Sequence, residues 1–218
     1  MHENGSGKSD VARIDWSGVF VVSVTPFGQD GCLDEPATRS LVELLASEGV
    51  TGIILAGSTG EWFTMSNEER IELFRIGRDQ VRSVPVLAGI SAIATGDAVE
   101  LASAARDLGL DGALLLPPPY VLPTDRELER YVSAIAEVGL PIMLYNNPGR
   151  TGINLDLRWL KKLSRHPEIV AVKESTKDIH QLGATIRGIG DELAVFTGME
   201  TYVGALVERG GAGVVGMA

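Results

Sequence analysis

Apolar, largely β-branched runs recur along this chain at the spacing of a strand-plus-helix unit. They are VFVVSVTPF (19–27), GIILAG (52–57), VPVLAGI (84–90), GALLLPP (112–118), PIMLYNN (141–147), IVAVKES (169–175), LAVFTG (193–198) and GAGVVGMA (211–218). They lack the alternation of a half-exposed strand and are apolar on both faces, the mark of parallel strands covered by helices. Amphipathic stretches with helix-start signals lie between them. SNEERIELFRIGRDQV opens at Ser66 with Glu69 placed for a capping box, and TDRELERYVSAIAEVG pairs Thr124 with Glu127 in the same way and closes with Gly139. DEPATRSLVELLASEG, TGDAVELASAARDLG, DLRWLKKLSRH, DIHQLGATIRGI and METYVGALVERG follow the same logic, for seven helices in all. Eight strands of this kind predict a TIM (β/α)8 barrel rather than an open doubly wound sheet. With seven helices and a last residue at Ala218, the expectation is a barrel lacking its eighth helix and any C-terminal helical extension. Residues 14–218 would then be one C-terminally truncated barrel domain, and residues 1–13 a disordered polar tail.

Charge and cysteine content narrow the classes of partner. The formal net charge of −10 argues against nucleic acid and anionic membrane surfaces as partners. The single cysteine, Cys32, allows no internal disulfide, fits a reducing compartment, and reads as structural within the turn GQDGCLDEP. No apolar run reaches membrane-spanning length and MHENGSGKSD lacks the apolar core of a signal peptide, so a cytoplasmic location is expected. GSGKS (5–9) resembles the end of a phosphate-binding loop, but His2 stands where its first glycine belongs and no strand precedes it. His2, His166 and His180 lie away from the strand ends; neither a metal site nor a dinucleotide motif is expected.

The chemistry gathers where a TIM barrel keeps its active site, at the C-terminal ends of the strands. The run Ile169–Val172 ends on Lys173. Taken alone, that lysine reads as a strand reaching solvent. Polar residues also collect at GSTGE (57–61), PPPY (117–120), YNNPGRTG (145–152) and FTG (196–198), which favours a functional reading. A lysine in a partly desolvated mouth loses its proton more readily and can attack a ketone to form a Schiff base. Tyr145 and Ser58 are candidates for moving the protons, and the GSTGE turn offers backbone amides and the Thr59 hydroxyl to a carboxylate. Strand alternation turns Glu174 away from Lys173 toward the helices, which gives it a structural role.

With GSTGE, YNNPGRTG and VKEST in this order on strands 2, 5 and 6, the chain from about Gly18 to Ala218 resembles the dihydrodipicolinate synthase and N-acetylneuraminate lyase family of pyruvate-dependent class I aldolases. The resemblance implies that Lys173 holds pyruvate as a Schiff base and that Tyr145 relays protons. Ser58 and Tyr120 would complete the relay, Tyr120 by reaching in from a neighbouring subunit of a dimer or tetramer. Thr59 would grip the pyruvate carboxylate, and Gly198 and Val215 would line the same site. Arg150 matches the arginine that synthase members use for the carboxylate of L-aspartate 4-semialdehyde, a group suited to a bidentate fork. The implied activity is condensation of pyruvate with that aldehyde in lysine biosynthesis, with no cofactor beyond the covalent substrate.

Other features depart from the synthase pattern: Ser58 replaces the threonine usual in synthases, in a GSTGE equally at home in the lyase branch, Pro119 stands where many synthases carry the first of a tyrosine pair, and Met199 follows Gly198 where an acidic residue is common. Asn67 and Arg70 occupy positions that are histidines in some lysine-inhibited members, so no lysine feedback is expected. The alternative within enzymes is an aldolase or dehydratase of 2-keto-3-deoxy sugar acids, or an N-acetylneuraminate lyase-like activity. The alternative of another class is a non-catalytic fragment or a keto-acid-binding barrel.

Overall fold

The apolar runs form eight parallel strands that close on themselves: β1 Gly18–Val22, β2 Gly52–Leu55, β3 Val86–Gly89, β4 Gly112–Leu115, β5 Ile142–Asn146, β6 Ile169–Glu174, β7 Ala194–Thr197 and β8 Gly213–Met217. β8 returns to pair with β1 from Gly18↔Gly213 to Val22↔Met217, so no sheet edge is left open. This computed structural model describes residues 14–217. The expected polar tail, the phosphate-loop decoy and His2 lie outside the described residues, as does Ala218.

Helices cover the barrel: α1 Glu35–Ser47, α2 Asn67–Gln80, α3 Thr95–Asp107, α4 Asp125–Ala136, α5 Pro148–Thr151, α6 Leu157–Leu163, α7 Ile179–Ile189 and α8 Val203–Val207. Both anticipated capping boxes form, Ser66 with Glu69 on α2 and Thr124 with Glu127 on α4, each satisfying two otherwise orphaned backbone donors. Asp34, Asp156 and Asp178 cap α1, α6 and α7 with their side chains. Among the described residues the expected helices are joined by a further four-residue turn, α5, inside YNNPGRTG between β5 and β6, where Pro148 presets the first helical position. The expected helix METYVGALVERG splits into a 3-10 turn at Glu200–Tyr202 and the short α8.

Two layers of core follow from strand alternation. Phe20, Ile54, Leu87, Leu114, Met143, Ala171, Phe196 and Val215 fill the barrel interior, where Phe20 and Phe196 meet edge to face at 5.4 Å. Ile53, Leu55, Leu115, Leu144, Val172 and Val195 face outward into the apolar faces of the helices. One irregularity positions the site. β5 and β6 pair Ile142 with Ile169 but Met143 with Ala171, so Val170 is an extra residue that shifts the register. That bulge brings Tyr145 beside Lys173 and Asn146 beside Glu174.

Candidate active site

Lys173 is buried among the barrel strands, with only 5% of its surface exposed. Its Nζ lies 4.4 Å from the centre of the Tyr145 ring, and among the described residues no carboxylate pairs with it. A charge without an adjacent counter-ion is costly in such a place, so desolvation dominates and lowers the amine's pKa to about 8, with Glu200 pulling weakly the other way. A neutral fraction well above that of an ordinary lysine is what an amine nucleophile needs. Tyr145 sits in the same layer, and its hydroxyl accepts from Asn147 Nδ2 at 2.8 Å. Because that bond uses an oxygen lone pair, the tyrosine proton stays free to be donated into the cavity.

A cavity of about 730 Å³ opens over Lys173 at the C-terminal ends of the strands. Of the residues singled out from the sequence, Lys173, Tyr145, Ser58, Thr59, Arg150 and Gly198 all line it. Ser58 and Tyr145 share the cavity without a hydrogen bond between them. The turn carrying Ser58 and Thr59 is pinned to the segment following β1 by the Thr25 hydroxyl, which donates to Gly60 O at 2.7 Å. Among the described residues the Ser58 and Thr59 amides find no partner within the protein, which leaves two N–H groups for an anion. α5 carries Arg150 to the exposed rim.

Two expected residues sit elsewhere. Val215 is fully buried one layer deeper in the barrel, and Met217, two positions along β8 on the same face, reaches the cavity instead. Tyr120 is 90% exposed, at a φ of 75°, and lines no part of its own chain's cavity. Cys32, read as structural, is exposed and unpaired. Asn67 donates to Glu100 at 2.8 Å, and Arg70 is buried with its guanidinium bound to the Ser91 and Gly89 carbonyls.

The cavity also holds residues the sequence reading passed over: Asn147, Ser175, Lys177 and Glu200. The Ser175 hydroxyl is buried and, among the described residues, has no hydrogen-bond partner. Ser175 stands two positions beyond Lys173, so one further step of strand alternation would have found it, whereas Lys177 lies past the end of β6 in a turn that alternation does not describe. Nothing in the local pattern marks Glu200, which a 3-10 turn after β7 brings in.

Glu174 faces away from the cavity, as alternation required. Its carboxylate accepts from Asn146 Nδ2 at 2.9 Å, Gln181 Nε2 at 3.2 Å and Thr176 N at 2.8 Å. Asn146 in turn accepts from the Leu155 amide, so the network fixes the loop that carries Arg150. Glu174→Gln should therefore cost about 1–3 kcal/mol of stability through mismatched buried donors. Thermal unfolding would read that loss, while Lys173 in the same variant stays reactive toward keto acids.

Comparison with known proteins gives a consistent picture. A sequence model of the dihydrodipicolinate synthetase family matches residues 15–218. An uncharacterized DapA-like lyase of Rhizobium meliloti is 41% identical over 93% of this chain and 68% of its own length. A 4-hydroxy-tetrahydrodipicolinate synthase of Oleidesulfovibrio alaskensis is 40% identical over 93% of this chain and 70% of its own. Among solved structures, the dihydrodipicolinate synthase of Cyanidioschyzon merolae with lysine bound superposes with a TM-score of 0.88 at 36% identity, over 93% of this chain and 70% of that one. A prophage protein of the dihydrodipicolinic acid synthase family from E. coli K12, in complex with pyruvate, gives 0.89 at 31% identity, over 92% and 69%. Among the described residues no helix is long and apolar enough to cross a membrane, and no cluster of three or more His, Cys, Asp or Glu side chains could hold a metal ion.

Proposed function

Because this chain belongs to the dihydrodipicolinate synthetase family of pyruvate-dependent lyases, we propose that it condenses pyruvate with an aldehyde through a Schiff base on Lys173. The observation that carries this reading is the buried, unpaired Lys173 amine beneath the cavity, beside Tyr145. The neutral amine attacks the pyruvate carbonyl carbon, and loss of water leaves an iminium. Loss of a methyl proton then gives an enamine, whose electron pair forms the new C–C bond to the aldehyde carbon while the aldehyde oxygen takes up a proton. Tyr145, with its hydroxyl proton free, is the donor and acceptor for these transfers, and Ser58 stands by in the same wall. The free amides of the Ser58–Thr59 turn suit the pyruvate carboxylate. No cofactor enters the scheme. Tyr120, exposed and outside its own cavity, is assigned to the site of a neighbouring copy, so the active form would be an oligomer.

For the aldehyde we favour L-aspartate 4-semialdehyde. Arg150 at the rim suits its carboxylate, and Glu200 suits its ammonium. A second reading, an aldolase or dehydratase of 2-keto-3-deoxy sugar acids, draws on the unpartnered Ser175 hydroxyl as a partner for a sugar hydroxyl. Turnover with the semialdehyde against sugar-derived aldehydes separates the two.

The direct test is to incubate the protein with pyruvate and borohydride and locate the added mass by peptide mass spectrometry. A reduced pyruvate adduct on Lys173 is expected. The initial rate of trapping should rise with pH and level off above about 8, as the amine loses its proton. Folded protein that gains no adduct would overturn the reading.

A further inference from the structure

The charge around the cavity runs against that of the molecule. The chain carries 29 acidic and 19 basic residues. Yet the cavity is lined by three cations, Arg150, Lys173 and Lys177, and by one carboxylate, Glu200. Lys173 is committed to the covalent step, and the turn amides suit the carboxylate of the keto acid. Two cations at the outer wall remain without a task shared with pyruvate.

Lys177 is the less expected of the two. It holds a φ of 63°, in the left-handed region that favours glycine. A non-glycine residue there costs on the order of 1 kcal/mol and persists only where its surroundings hold it. Here the Tyr202 hydroxyl donates to the Lys177 carbonyl at 2.9 Å and clamps the turn in place. Among the described residues the Lys177 amine makes no ion pair, and neither does the Arg150 guanidinium. A strained backbone that places an uncommitted, exposed cation on the same cavity as a second uncommitted cation offers both to one anion.

We propose that Lys177 is a specificity-determining residue. With Arg150 it grips an anionic group on the second substrate, so the site selects short aldehydes that carry a carboxylate over uncharged ones. The assignment rests on the Schiff-base reading for the identity of the reaction, but the anion cradle can be tested without it. Lys177 acts on acceptor binding and not on the amine that forms the Schiff base.

Lys177→Gly is the informative variant, because glycine accepts the left-handed backbone and removes only the side chain. Lys177→Arg keeps the charge as its companion. Binding of succinate, a dicarboxylate with no aldehyde to react, is measured by calorimetry for all three proteins, with thermal unfolding as a check that each is folded. Succinate should bind Lys177→Gly about ten- to a hundredfold more weakly than the parent, the loss of one charge-assisted contact, while Lys177→Arg stays close to the parent. The KM for a carboxylate-bearing aldehyde should rise by a similar factor in Lys177→Gly, and the KM for glyceraldehyde should stay put. Equal succinate affinity in the parent and Lys177→Gly overturns the proposal, even if pyruvate is trapped on Lys173. If succinate discriminates but pyruvate is not trapped, the cradle stands and the Schiff-base reading falls.

Discussion

Lys173→Met is expected to abolish borohydride trapping of pyruvate and to lower turnover by roughly ten-thousandfold or more, the scale at which loss of a covalent nucleophile is felt. The same change should make the protein more stable at neutral pH. The unfolded chain keeps its lysine proton up to its ordinary value of 10.5, whereas in the folded barrel desolvation brings that value down to about 8. Between those values the unfolded state binds more protons, so stability rises as pH climbs through the window. Below it both states are protonated, and the folded protein bears the full cost of a buried charge, about 3 kcal/mol at roughly 1.4 kcal/mol per pH unit. Methionine fills a similar volume without the charge. The advantage of Lys173→Met in thermal or urea unfolding should therefore be greatest below pH 8 and fade toward pH 10. A variant less stable than the parent at pH 7 would mean that the amine has a partner in the barrel. Loss of activity with a gain in stability is the expected trade at a functional site.

Why this lysine was legible in the sequence, and other parts of the site were not, comes down to which physical signals are local. The strands could be read because residues buried on both faces must be apolar throughout, and two helix starts because capping boxes are chemistry within one turn. Strand ends were less readable. The run 19–27 looked like one strand, but β1 stops at Val22, with Val24 already 41% exposed and Pro26 unable to donate to a ladder. The bulge at Val170 is invisible in an apolar run, because with both faces apolar the parity of each residue cannot be told. Parity could be recovered only from Lys173 onward, where polar residues reappear; that is why the facing of Glu174 was legible and Ser175 was within reach, while Lys177 lies in the turn beyond the strand. Glu200 was not within reach, since a 3-10 turn after β7 with no local period brings it to the cavity, and Met217 was missed by stopping at Val215, one step short of it on the same face of β8. Tyr120 came from family resemblance alone. Its side chain lies in solvent, and the three prolines before it supply no strand period from which to judge its facing.

Gly198→Ala should cripple the site without touching any group that reacts. A methyl group at this position would overlap the Ser175 hydroxyl and come within 2.7 Å of Lys173 Cε. Both neighbours line the cavity, so they can make room only by moving into it, and for the lysine that displaces the reacting amine. The lysine tip has to move, and a displacement of about an ångström at a nucleophile costs about a hundredfold in rate. Trapping of pyruvate and turnover should fall together by that factor, with a stability loss of about 1–3 kcal/mol from overpacking. The double variant Gly198→Ala with Ser175→Ala tells displacement apart from general damage. It removes the overlapping hydroxyl and leaves the Ser175 Cβ at 3.3 Å, so stability should largely return. The 2.7 Å approach to Lys173 Cε persists, however, and trapping should recover only in part. If Gly198→Ala alone traps pyruvate at the parental rate, the lysine has room that this packing denies it. Its reactivity would then owe less to confinement between β6 and β7 than to the low polarity of the barrel around it.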